Sequence, residues 1–177
     1  MAFTIDIHID TEDVGKCLIA VQHAYSPVSL VQWGEKNAYE IGKKVFKQNF
    51  ETEGGRLGRK WKPLADETGE RRAREGFVPF YPILYRTGHL KETVVEHKPV
   101  IRALPDLQVV WGHVGKFSKK DYAIYASHQG GAKSKKTKWK LPARPMVGFN
   151  KEDEISLTRS LVGWIGRQIQ LGRRKKV

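Results

Sequence analysis

Hydrophobic residues alternate with polar ones at the start of the chain and then recur every three or four positions. The stretch "FTIDIHI", residues 3–9, has the alternation of a strand with one buried face. A short helix is expected next, over residues 11–25. Ser26 and Pro27 are residue types typical of an N-cap and a first helical position, so they predict a second, longer helix that runs to about Phe50.

The helical periodicity fades between residues 56–82, where glycine, proline and charged residues dominate. We interpret this stretch as a long irregular loop with one helical turn near residues 67–74. Long loops in compact domains are usually functional. A short helical turn capped by Thr87 is expected next. The β-branched residues of 94–103 and 107–114 then predict a hairpin.

The last third of the chain predicts a helix, a basic loop, a short strand at residues 144–149 and a long final helix. Gly130 and Gly131 end the first of these helices, and Asn150 caps the last one. The buried stripe of the last helix is expected to be Ile155, Leu161, Val162, Ile165 and Ile169.

This order of elements predicts an α+β fold, with a small, mainly antiparallel sheet packed against two long helices and with long irregular loops. Residues 1–170 are expected to form a single domain, and residues 171–177 a basic C-terminal tail. No apolar run is long enough to span a bilayer, and "MAFTIDIHID" lacks the pattern of a signal peptide. We therefore expect a soluble protein made in the cytoplasm.

The positive charge is concentrated at one end of the chain. Residues 1–115 contain 16 Lys and Arg against 15 Asp and Glu, whereas residues 116–177 contain 16 against 4. This asymmetry favours contact with a polyanion or an acidic partner, the alternative being a solvated loop and tail. The candidate contact residues are Lys133, Lys135, Lys136, Lys138 and Lys140 of the basic loop and Arg173, Arg174, Lys175 and Lys176 of the tail.

The sequence lacks the residue patterns of the common enzyme classes. Its six histidines have no metal-ligand spacing, and it has neither a glycine-rich phosphate loop nor a nucleophile elbow. Ser127 and His128 are adjacent, but neighbouring side chains on a helix diverge by about 100°, so adjacency does not make a nucleophile–base pair. The single cysteine, Cys17, excludes an intrachain disulfide. We expect a protein that is not an enzyme and that uses no metal or cofactor.

Several aromatic residues and one arginine are candidate anchors of the loops or of an assembly. They are Trp61, Phe77, Phe80, Tyr81 and Arg144. Trp61 anchors either the core of its own domain or a neighbouring subunit, and we favour the core because Pro63, Leu64 and "FVPFYP" can surround it. Arg144 lies in a segment stiffened by two prolines. It is expected to be at least half buried against a carboxylate or backbone carbonyls.

The stretch "YAIYASHQGG", residues 122–131, is expected to be a helix with one apolar face and a polar end. Two Tyr-Ala pairs three residues apart would pack that face on the hairpin strand that carries Val109 and Trp111. The side chains of His128 and Gln129 would bond loop backbone at the helix end. The basic loop would then be directed away from the core.

Four segments of the chain fall in an order that is typical of one group of proteins. They are "FETEGGRLGRKWKPLADET", "PILYRTGHLKETV", "YAIYASHQGG" and "LPARPMVGFNKED". Together they resemble the phage virion morphogenesis family, which includes the tail-completion protein S and the Mu-like protein G, over about residues 30–170. The matching positions are Phe50, Glu53, Gly54, Trp61, Pro63, Leu64, Thr68, Ile83, Leu84, Thr87, Gly88, Leu90, Tyr122, Ala123, His128, Gln129, Gly131, Pro142, Ala143, Arg144 and Pro145.

The resemblance implies a structural phage protein of the neck or tail end of the virion, assembled in the host cytoplasm. Such a protein completes the tail and joins it stably to the head. It would act as a homo-oligomeric ring around the DNA channel, with head connector or neck proteins on one side and tail terminator or tail tube proteins on the other. The basic insert between Gly131 and Pro142 is heavier than in the family, so its role belongs to this chain. It would meet DNA, without sequence preference, or an acidic protein surface.

A reading of the residues alone keeps a second class of function open. A nucleic-acid-binding protein could use the basic loop at residues 133–140 and the basic C-terminal tail, with Trp139 stacked on bases. The size of the protein in solution and salt-sensitive binding to a short duplex distinguish the two hypotheses.

Overall fold

The computed structural model describes residues 11–96, 98–102, 108–111, 119–133 and 140–174. It combines helices with two small antiparallel two-stranded sheets, which confirms the α+β class. The helices are α1 (Thr11–Ala24), α2 (Pro27–Trp33), α3 (Tyr39–Glu51), α4 (Asp66–Arg74), α5 (His89–Val95), α6 (Lys119–Gly130) and α7 (Lys151–Arg174), with a π-helical turn at Gly34–Ala38 and a 3-10 turn at Gly55–Leu57. The strands are β1 (Val100–Arg102), β2 (Gln108–Val110), β3 (Ala132–Lys133) and β4 (Lys140–Leu141).

The long helix expected after Pro27 is present as one run of α2, the π-helical turn and α3. The Ser26 hydroxyl accepts a hydrogen bond from the Ser29 N–H at 3.3 Å, which is the predicted N-cap. The π-helical turn coincides with a close contact to strand β1. A Cβ added at Gly34 would lie 2.5 Å from Ile101 Cγ1, so only glycine lets the strand pack here. The run ends where Gly54 adopts φ +80°, a conformation that glycine reaches without strain.

Helix α7 packs against α1 and the α2–α3 run, and two indole–hydroxyl hydrogen bonds join it to that run. The Trp164 Nε1–H donates to Ser29 Oγ at 3.1 Å, and the Trp33 Nε1–H donates to Ser160 Oγ at 3.2 Å. The expected buried stripe is therefore partly wrong, because Ile155 and Val162 are exposed, at 40% and 64%. The helix has more apolar positions than the neighbouring helices can cover, and the two indole–hydroxyl bonds decide which of its faces is inside.

The hydrophobic core lies between α3, α5 and the segment at residues 145–149. Its buried members are Val45, Phe46, Phe50, Trp61, Ile83, Leu84, Val94, Val95 and Met146. The rings of Trp111 and Phe149 close one side of it, with centroids 6.2 Å and 5.4 Å from the centroid of Phe46. This arrangement ties the hairpin and the proline-rich segment to helix α3.

The expected hairpin is present as the antiparallel pair β1–β2, in which Val100 lies opposite Val110. The first strand begins later than predicted, because Val94 and Val95 belong to α5. The turn lies outside the described residues, as does the strand expected at residues 3–9. The strand expected at residues 144–149 is absent, and that prediction is wrong. Side chains bind the main-chain groups there, so no neighbouring strand is needed to satisfy them.

The last helix extends further than the sequence pattern suggests. It continues through residues 171–174, which were expected to belong to the basic tail, and ends at Arg174. None of the helices in the described part of the chain is both long and apolar enough to cross a membrane.

Candidate functional site: a motif cluster and the basic groove beside it

Trp61 is a core residue, as predicted. It is 4% exposed, and its ring packs edge-on against Phe50 with centroids 5.5 Å apart. Its Nε1–H donates to the backbone carbonyl of Pro145 at 3.0 Å. A Cβ added at Gly54 would lie 2.5 Å from Trp61 Nε1, so the glycine after helix α3 makes room for the indole. Two segments about 80 positions apart in sequence are thereby joined.

Arg144 confirms the prediction of a buried arginine held by backbone carbonyls. It is 2% exposed, and it donates from Nε to the Lys62 carbonyl and from Nη2 to the Pro63 carbonyl, both at 3.1 Å. Its own N–H donates to the His128 carbonyl at 2.6 Å. Burial lowers the pKa of the guanidinium, and the nearby charge of Arg72 lowers it further. The planar fork of an arginine suits two carbonyls fixed in one loop.

Gln129 also bonds loop backbone, as predicted, but on a different segment from the basic loop. Its Oε1 accepts from the N–H groups of Met146 and Val147 at 2.7 and 3.1 Å, and its Nε2 donates to the Val147 carbonyl at 2.8 Å. From the other side, Asn49 Nδ2 donates to the carbonyls of Met146 and Gly148, each at 3.1 Å. These two side-chain amides satisfy backbone groups of residues 146–148 that a neighbouring strand would otherwise satisfy. Nothing in the sequence pointed to Asn49 apart from its position on the inner face of α3.

His128 follows no catalytic pattern in the structure. Its Nδ1 is buried without a hydrogen-bond partner among the described residues. Burial and the charges of Arg144 and Arg72 lower the pKa of His128 to about 4, so its ring is neutral at physiological pH. The neutral ring fills space beside two buried cations. The prediction that its side chain bonds loop backbone is wrong for the described residues; the backbone carbonyl of His128 accepts from the Arg144 N–H instead.

The apolar face predicted for helix α6 is only partly formed. Tyr125 packs against the core cluster, as does Trp111. Ala123, expected on the same face, is exposed, which contradicts that part of the prediction. The side chain of Tyr122 lies outside the described part of the chain. The helix ends at Gly130 and Gly131, as predicted, and Gly131 has φ +76°.

The aromatic residues of the loop after α4 do not join Trp61, contrary to expectation. Tyr81 is 60% exposed and Phe80 is 43% exposed. The guanidinium of Arg86 lies 5.0 Å from the ring centroid of Phe77. Instead of these aromatics, Ile83 and Leu84 fill the core around Trp61. An open groove of about 810 Å³ runs beside them, and its lining includes Phe50, Lys60, Tyr81, Tyr85 and Lys91.

A second groove, of about 570 Å³, contains the described part of the basic loop. We call it the basic groove, and it is lined by Lys62, Gly130, Gly131, Ala132, Lys133, Lys140, Leu141, Pro142 and Ala143. Its three lysines are exposed. Lys62 was not among the candidates from sequence. Its position next to Trp61 in "RKWKPL" was the available signal, but nothing in the sequence placed it beside Lys133.

The remaining basic candidates are only partly described. Lys135, Lys136 and Lys138 lie outside the described residues, as do Lys175 and Lys176. Arg173 and Arg174 belong to the last turn of α7. Within the described part of the chain, no group of histidine, cysteine or acidic residues is placed to hold a metal ion.

Comparison with known proteins leaves the structure as the main guide to function. No protein-family model, no curated protein and no solved structure matches the chain.

Proposed function

We propose that this protein is a structural component of a tailed phage, which completes the tail and joins it to the DNA-filled head. It would act at the neck as a ring-forming subunit with no catalytic role. Its partners would be further copies of itself, head connector or neck proteins, and tail terminator or tail tube proteins. In this view the virion is its final location, after assembly in the host cytoplasm.

The observation that supports this proposal most is the convergence of the four motif segments on one cluster. Trp61 and Arg144 connect the first segment to the last, through the carbonyls of Pro145, Lys62 and Pro63. Glu53 accepts a hydrogen bond from the Ile83 N–H at 3.1 Å, which connects the first segment to the second. Gln129 provides the connection between the third segment and the last. Several residues of the resemblance therefore connect segments that are distant in sequence.

Because the cluster is largely buried, it serves as a scaffold. Contacts with other molecules are then made by exposed parts of the chain. Two of the exposed features are the aromatic loop around Tyr81 and the basic groove, which are different in chemistry. A subunit with two unlike surfaces can make head-to-tail contacts, and such contacts close into a ring when the rotation per subunit allows it. This is the kind of subunit that a phage neck requires.

The proposal is tested by imaging particles assembled in infected cells that lack this chain. We expect heads full of DNA beside separate, full-length tails, and joined particles when the wild-type chain is supplied from a plasmid. A second plasmid encoding Tyr25→Ala, a change at an exposed residue of the α1–α2 turn, provides a control for expression of a variant chain. Normal particles in the absence of the chain would exclude a role in joining, and empty heads would indicate a role in packaging instead.

One observation favours a second candidate, a nucleic-acid-binding protein outside any particle. It is the basic groove, whose described lining has three exposed lysines and no acidic residue. This candidate predicts a monomer in solution that binds a short duplex and never enters a virion. Light scattering on the purified chain and immunoblotting of purified particles separate the two functions.

A further inference from the structure

The basic groove brings together cations from two distant parts of the chain. Lys133 and Lys140 come from the strands β3 and β4, and Lys62 comes from the loop after α3. The other lining residues are glycine, alanine, proline and one leucine. The described part of the groove therefore combines three exposed positive charges with small residues, and it contains no carboxylate.

The pairing of the two strands places two of the three lysines opposite each other. Lys133 lies directly opposite Lys140 in the antiparallel register. Opposite side chains in such a pair are about 5 Å apart at Cβ, and like charges there destabilise the pair. An anion bound between the two ammonium groups would remove the repulsion.

The position of Lys62 relative to this ribbon is set by buried contacts. Arg144 holds the Lys62 carbonyl through Nε, and its own N–H holds the His128 carbonyl at the end of α6. Gly131 brings the start of the ribbon close to the same segment. A Cβ added at Gly131 would lie 2.9 Å from the Leu141 carbonyl oxygen and 3.0 Å from Ala143 N. The three lysines therefore surround a groove of defined shape, although their side chains are exposed.

We propose that the basic groove binds the sugar-phosphate backbone of duplex DNA without reading its sequence. Lysine binds phosphate as a point charge, without the planar two-pronged fork of arginine. Among the described residues that line the groove there is no aromatic residue and no arginine, the residues on which protein–protein interfaces depend for most of their affinity. Repeated phosphates therefore suit the groove better than an acidic protein surface. The biological setting, a DNA channel in a phage neck, rests on the proposed function.

The inference is tested with the purified full-length chain and a fluorescein-labelled 20-base-pair duplex, whose anisotropy is titrated at several salt concentrations. The groove variant carries Lys62→Gln, Lys133→Gln and Lys140→Gln. The control carries Lys36→Gln, Lys44→Gln and Lys47→Gln, which remove the same charge from exposed positions on the long helical run. Melting curves of both variants show whether the fold is intact. If the triple groove variant does not fold, Lys62→Gln alone replaces it.

The expected result is a shift in the salt dependence that is confined to the groove variant. Each phosphate contact contributes about 0.9 to the slope of log K against log salt, so losing three contacts makes the slope shallower by about 2.7. The single variant is expected to change it by about 0.9. A second duplex of unrelated sequence should bind equally well. Absence of binding by the wild-type chain, equal slopes for the groove and control variants, or a strong preference for one duplex would overturn the inference.

Failure of this inference can be distinguished from failure of the proposed function. Separate heads and tails in particles made without the chain, together with no binding of duplex DNA, would leave the joining role in place and assign the groove to another ligand. Normal particles made without the chain, together with groove-dependent binding of duplex DNA, would exclude the joining role and support the groove as a DNA-binding site.

Discussion

Replacing Trp61 with alanine tests the central claim about the motif cluster, that it holds the fold together. The change removes an indole that is 4% exposed, the edge-on contact with Phe50, and the hydrogen bond to the Pro145 carbonyl. It leaves a cavity in the core between α3 and the proline-rich segment. The isolated subunit should therefore lose stability before any assembly takes place.

The magnitude follows from the burial and from the hydrogen bond. Truncating a buried tryptophan to alanine costs about 3–5 kcal/mol. In a chain of this length each kcal/mol lowers the melting temperature by about 2–4 °C, so the expected fall is roughly 6–20 °C. Trp61→Phe keeps most of the apolar contact and loses the bond to Pro145, which should cost only about 1–2 kcal/mol. Tyr25→Ala, at an exposed aromatic, should change stability by less than about 0.5 kcal/mol.

The assay is thermal unfolding of the three purified variants beside the wild-type chain, followed by far-ultraviolet circular dichroism at one protein concentration. Urea unfolding at 25 °C gives the free energy of unfolding independently. The order of stability should be wild type and Tyr25→Ala, then Trp61→Phe, then Trp61→Ala. A Trp61→Ala subunit as stable as the wild-type chain would refute the reasoning, because the indole would then act on a neighbouring subunit and not on the core.

Three further predictions concern the same cluster and the start of helix α7. Arg144→Lys cannot hold both loop carbonyls with a single ammonium group, so urea unfolding should show a loss of about 2 kcal/mol; wild-type stability would contradict the fork geometry. Asn150→Ala removes the side-chain oxygen that accepts from the Asp153 N–H at 2.9 Å, so it should lower the free energy of unfolding by about 1 kcal/mol. Asn150→Asp keeps such an oxygen and should be near neutral. Equal losses for the two variants would exclude capping as the cause. Burial lowers the pKa of His128 from 6.5 to about 4, so the imidazole binds a proton more readily in the unfolded chain than in the folded one. The contribution of His128 to stability should therefore be full above pH 6.5 and fall as the pH drops toward 4. His128→Gln should flatten the stability profile in that window, and an unchanged slope there would show that other groups cause it.

Predictions that depended on local chemistry agree with the structure. Ser26 caps the long helical run, and Asn150 caps α7 by exchanging hydrogen bonds with Asp153. Gly131 ends α6 with a positive φ. In each case the residue type itself supplies the donor, the acceptor or the backbone freedom that a helix end needs, so a few neighbouring residues suffice for the prediction.

Predictions that required knowledge of distant partners were less successful. The segment at residues 144–149 has the residue types of a strand, but Gln129 and Asn49 satisfy its backbone groups from outside. The apolar residues of α7 outnumber the positions that its neighbours cover, so Val162 lies on the surface. Both outcomes depend on which side chains arrive from elsewhere in the fold, and a pattern within one segment does not carry that information.

The sequence by itself determined the α+β class, the ends of most of the described helices, and the need of Trp61 and Arg144 for buried partners. These features follow from backbone sterics, from capping groups and from the cost of leaving large or charged side chains without contacts. Only the tertiary structure decided that Lys62 lies in the same groove as Lys133 and Lys140, about 70 positions further along the chain. Exposed lysines obey no periodicity and no packing constraint of their own. Their meeting in the basic groove is therefore set by the buried residues that position the backbone beneath them.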